Sequence, residues 1–87
     1  MSNFPIHFIK ENALRQAGLD CSMWINEFCP AHAQVNALAG LYDPAKTQAI
    51  ISHISNMRIE YLRCKDAINL ATTEEEVEAI KFEGKPI

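Results

Sequence analysis

The clearest pattern of apolar and polar positions lies in the second half of the chain. Ile50, Ile54, Met57, Tyr61, Cys64, Ile68 and Ala71 follow one another at steps of 4, 3, 4, 3, 4 and 3. Such steps keep side chains on one face of an α-helix. The spacing predicts one long helix over about 44–71, with a heptad-like seam of about three repeats. Its start is marked by chemistry as well as by period. Asp43 can cap the free backbone N–H groups, and Pro44 suits a first helical position that needs no N–H. No glycine or proline follows before Ala71.

The first half is more broken. Phe4, Ile6 and Phe8 alternate, as in an extended segment, whereas Ile6, Ile9, Ala13, Leu14 and Ala17 share a helical face. We read an extended lead into a helix of about Lys10 to Ala17, closed by Gly18 in a left-handed conformation. Cys21, Trp24, Ile25 and Phe28 then predict a second short helix capped by Asp20, with Trp24 and Phe28 as core. Pro30 opens a third, with Ala31, Val35, Leu38 and Tyr42 at helical spacing and Gly40 near its end.

After the long helix the chain reads "ATTEEEVEAIKFEGKPI". Thr73 and Glu76 have the spacing of a capping box, in which the hydroxyl accepts from the Glu76 N–H and the carboxylate reaches back to the N–H of Thr73. The other glutamates of the first turn favour the positive end of the helix dipole. Val77 and Ile80 supply an apolar side, so a short helix over about 74–81 is expected to fold back on the long one. Residues 82–87 are expected to be a loose extension unless Phe82 or Ile87 docks. The whole is an all-α single domain, residues 1–87, of four or five helices.

Composition narrows what such a domain can do. Its 87 residues are 48% hydrophobic, enough for a core, though so short a domain is often marginal without a partner. The net charge of −3 argues against nucleic acid, which selects a basic face. No apolar run approaches the ~20 residues of a membrane span, and no secretory leader pattern is present. With an odd count of three cysteines, the reading is a cytoplasmic protein with reduced thiols.

Candidate chemistry is sparse. Cys21, Cys29 and His32, with His53 or Cys64 as a fourth donor, are the best candidate for a metal site. Closely spaced cysteine pairs are missing, and Cys21 and Cys64 also fit apolar faces. Cys29 ahead of the helix opened by Pro30 could be an activated thiol, but no oxyanion-binding turn accompanies it. No cofactor and no catalytic group are expected. Glu74, Glu75, Glu76 and Glu78 could make an acidic recognition surface, although capping already explains them. Glu60 with Arg63, and Arg63 with Asp66, read as ion pairs on a solvated helix face.

Three residues have no place in the seam. Ile59 lies about 180° from it, and Ile51 and Leu62 roughly 100–120°. Together with Met57 and Tyr61 they are the candidate partner-binding residues, for a second copy or another protein.

The run "MRIEYLRCKDAINLATTEEEVEAIKFEGKP" resembles the C-terminal ends of small tail-fibre and tail-assembly accessory proteins of tailed phages. The residues that carry the likeness are Ala71, Thr72, Thr73, Glu75, Glu76, Val77, Glu78, Ala79 and Ile80, within about a third of the chain. The resemblance implies a non-enzymatic protein made in a bacterial host cytoplasm that binds other virion proteins. The alternatives are a small acidic regulator of a host protein and a zinc-stabilised helical module.

Overall fold

The computed structural model describes residues 4–87. Four helices follow in order: α1 (Ile6–Phe28), α2 (Ala31–Leu38), α3 (Pro44–Leu70) and α4 (Glu74–Glu78), with no strand among the described residues. The all-α expectation holds, with one long helix and a short C-terminal one.

α3 begins as its sequence requires. The Asp43 carboxylate accepts from the Lys46 N–H at 2.8 Å, and Pro44 opens the helix. Its seam turns inward: Ile50, Met57, Cys64, Ile68 and Ala71 are buried. The partner surface is α1, which runs antiparallel to it. Lys10 Nζ donates to the carbonyl of Asn69 at one end, and the Cys21 thiol to that of Met57 further along. The His53 ring bonds the carbonyl of Trp24 through Nε2 at 2.9 Å.

α1 corrects the reading of the first half. The expected extended lead, the stop at Gly18 and the cap at Asp20 are replaced by one helix of 23 residues. Ala13, Ala17, Cys21, Trp24 and Phe28 recur at steps of three and four across Gly18, so an unbroken helix offers α3 a continuous face. That packing outweighs the roughly 1 kcal/mol by which an interior glycine disfavours a helix. Asp20 accepts from the Gln16 side chain at 2.9 Å, one turn back, instead of capping a new helix.

α2 also departs from expectation, because its buried face is inverted. Ala33 and Ala37 are buried against Cys29 and Ile50, whereas Val35 and Leu38 face outward, Leu38 at 87% exposure. Small side chains let this short helix lie close to α3. The chain leaves α2 through Gly40 at φ 74°. There Leu41 N–H bonds the carbonyl of Asn36, and Gly40 N–H that of Ala37, a left-handed helix close.

Beyond α3, Thr73 Oγ1 accepts from the Glu76 N–H at 3.1 Å. The return half of the capping box falls one residue earlier than expected, because the Glu76 carboxylate accepts from the N–H of Thr72 at 2.7 Å. α4 ends at Glu78 rather than near residue 81. Val77 is buried, and Ile80 packs on the cluster of Ala17, Cys64 and Ile68.

The result is a rod of 52 × 17 × 16 Å. Its radius of gyration is 15.9 Å, where a compact chain of this length would have about 12 Å. Two helices in one layer leave a thin core, filled largely by alanines, cysteines and single large side chains such as Met57.

The outward face of α3 and the C-terminal strap

The partner-binding candidates separate into inside and outside. Met57 is 2% exposed and sits in the α1–α3 core, which corrects its expected role. Tyr61 is half-buried, packed on the cluster of Ala17, Cys64 and Ile68, and its ring edge lies over Gly18. Ile51, Ile59 and Leu62 are 50%, 62% and 52% exposed. Leu70, at 81%, extends the same stripe. Its signal in the sequence was its position eight residues past Leu62, as Ile59 stands eight past Ile51.

The acidic candidates stay near α4. Glu75, Glu76 and Glu78 are exposed and Glu74 is half-buried. Glu76 spends its carboxylate on the amide and hydroxyl of Thr72, so it acts first as a capping group.

The metal candidates are not brought together. Cys21 and Cys29 are buried, His32 is exposed, and no group of three His, Cys, Asp or Glu side chains among the described residues could hold a metal. All three thiols are pushed above their ordinary pKa by burial, so they carry protons at neutral pH. Cys29 is fully buried, which removes the activated-thiol reading. His53 is buried too. Its Nε2 donates to the Trp24 carbonyl, which can only accept, and its ring stands edge-on to Phe28, itself stacked with Trp24.

The most developed polar arrangement was read in the sequence as a solvated pair. Arg63 grips Glu60 through two parallel bonds, Nε to Oε1 at 2.6 Å and Nη2 to Oε2 at 2.7 Å. The Glu60 side chain is only 12% exposed. Its carboxyl is held down to about 2, first by the Arg63 hydrogen bond, against the opposing effect of burial, and further by the Glu83 N–H.

That last contact belongs to the C-terminal segment, expected to be loose unless it docked. It docks through Phe82, which joins the Ala17, Cys64 and Ile68 cluster. Arg63 Nη2 also donates to the carbonyl of Lys81 at 2.8 Å, and Glu83 N–H donates to Glu60 Oε2 at 2.7 Å. Gly84 lies flat on the indole of Trp24, where an added methyl group would overlap the ring. Residues 81–86 thus form an extended strap across α1 and α3. Open grooves of about 500 and 410 Å³ flank it. Trp24 was read as core rather than as a binding platform, and Gly84 was missed, because nothing local in the sequence links positions so far apart.

Comparison with known proteins returns no matching family model, no matching curated protein and no matching solved structure. Among the described residues no helix is long and apolar enough to cross a membrane.

Proposed function

We propose that the chain is a non-enzymatic protein-binding module, a structural or tail-assembly accessory protein of a tailed phage, acting in the host cytoplasm through the outward face of α3. The observation that carries the protein-binding part is the exposed stripe of Ile51, Ile59, Leu62 and Leu70, on the side of α3 away from its buried seam. Apolar side chains spaced along a rigid helix suit docking into a groove or against another helix. The phage assignment rests on the resemblance of the C-terminal third alone.

The spacing of the stripe favours a second copy of the chain as one partner. Ile59 and Leu62 flank a midpoint between Glu60 and Tyr61, and Ile51 and Leu70 flank the same midpoint. Two α3 helices laid antiparallel would place Ile59 across from Leu62 and Ile51 across from Leu70. A two-fold interface requires this self-complementarity.

Size-exclusion chromatography with light scattering tests the reading. A dimer is expected for the native chain. Ile59→Glu and Leu62→Glu should give folded monomers, since both side chains are outside the core. A native chain that is strictly monomeric, and whose capture of lysate proteins is unchanged by these substitutions, would remove the basis of the proposal.

A further inference from the structure

The strap is seated as a bound peptide is seated. Exposure alternates over residues 81–85: Lys81, Glu83 and Lys85 face solvent, while Phe82 and Gly84 are half-covered. That period of two is the signature of an extended chain lying on a surface. The carbonyl of residue 81 and the N–H of residue 83 point to the same edge of such a chain, and both are met, by Arg63 and by Glu60 respectively. The Glu60–Arg63 pair therefore offers one acceptor and one donor to a backbone edge, much as a neighbouring strand would. Side-chain selection comes from the inward positions. An apolar cluster takes the phenyl ring of residue 82, and the Trp24 ring leaves room for no Cβ at residue 84.

The backbone partners and the buried residues of this seat belong to α1 or α3: Ala17 and Trp24 on one, Glu60, Arg63, Cys64 and Ile68 on the other. Neither the backbone contacts nor the two inward pockets require the occupant to be tethered. We infer that the Glu60–Arg63 pair and Trp24 form a recognition site for an extended segment carrying an aromatic residue two positions before a glycine, supplied by a partner protein, with the chain's own strap as the resident competitor. The cis strap itself specifies the chemistry of the ligand. Tethering gives it an effective concentration in the millimolar range, so a partner must outbid it or meet it weakened. The inference does not depend on the α3 stripe.

The chain contains a single tryptophan, and it lies in the seat, so its fluorescence reports occupancy. The probe is an acetylated peptide copying residues 80–87, IKFEGKPI, titrated into the full-length Gly84→Ala chain with helicity checked by circular dichroism. The added methyl should unseat the strap and shift Trp24 emission to longer wavelength. The peptide should then bind saturably and restore the native emission, at an affinity at least about tenfold better than on the native chain, where the seat is filled. A peptide with alanine in place of its glycine should not bind, and Glu60→Gln in the same background should weaken binding about 5–30-fold. Should Gly84→Ala not fold, the same titration on the full-length Phe82→Ala chain reads the same site. Absence of saturable binding on a folded strap variant, or equal binding of the alanine peptide, overturns the inference. So does a native dimer that dissociates on Gly84→Ala, which would assign the seat to the strap of a second copy.

Discussion

The three glycines of the chain carry three different physical roles, and substitution by alanine separates them. Gly40 sits at φ 74° with open space around it, so Gly40→Ala meets only the left-handed strain of an L-residue, about 1–2 kcal/mol. Gly18 lies inside α1, and a methyl there would touch Tyr61 at an ordinary 3.8 Å. Gly18→Ala should therefore stabilise by about 0.5–1 kcal/mol. Thermal unfolding of both variants checks the pair. For a domain of this size 1 kcal/mol corresponds to roughly 4–8 °C, and the two shifts should have opposite signs. The sequence made the caps at Asp43 and Thr73 legible because their chemistry is local, a side-chain oxygen and an N–H three residues on. It could not tell Gly18 from a helix stop, since a glycine ends a helix only where the chain leaves.

For the elements, the deciding factor was what each face meets. The seam of α3 was readable because its apolar residues are large and evenly spaced, and α1 covers them. α2 misled because its largest apolar side chains, Val35 and Leu38, stay outside while Ala33 and Ala37 make the contact. Hydrophobicity alone ranks Leu38 above Ala37; closeness of approach reverses the order. The strap was unreadable for a related reason. Its anchors pair Glu60 with Glu83 and Trp24 with Gly84 across long stretches of chain, and neither pairing leaves a periodic trace. The Glu60 carboxyl falls from an ordinary 4.5 to about 2 on folding. Its contribution is thus fully present above the unfolded value and is lost as the pH drops through about 2. Thermal melts at pH 6 should show Glu60→Gln less stable by about 1–2 kcal/mol, discounted for solvent screening. Near pH 2 the difference should shrink, because the native carboxyl is then half protonated; a gap that is constant with pH would count against the clasp.

The whole molecule is a rod because two long helices pack in one layer and the remaining pieces are too short to add a second. Its surface of 6007 Å² exceeds the roughly 5,200 Å² expected of a folded monomer of this mass. Small-angle scattering gives a direct check: a lone chain should show a radius of gyration near that of the 52 Å rod, while side-by-side pairing through α3 should double the mass with little gain in length. The long helix, the short one after it and the all-α class could be argued from periodicity, whereas the first helix was read as two. The ratio of length to width could not, since it depends on α1 continuing through Gly18.

A rod built from a helical hairpin also has a built-in order of assembly. At one end Cys29, Ala33 and Ile50 meet across a short loop of chain, whereas at the other Lys10 reaches Asn69 across a separation of 59 residues. Closing the short loop costs less entropy, and each contact made brings the next within reach. The hairpin should therefore zip from the α2 end towards α4. In stopped-flow measurements, Ile50→Val should mainly slow folding, and Ile68→Val should mainly speed unfolding. The two ends of one helix pair would then govern opposite limbs of the same kinetic curve.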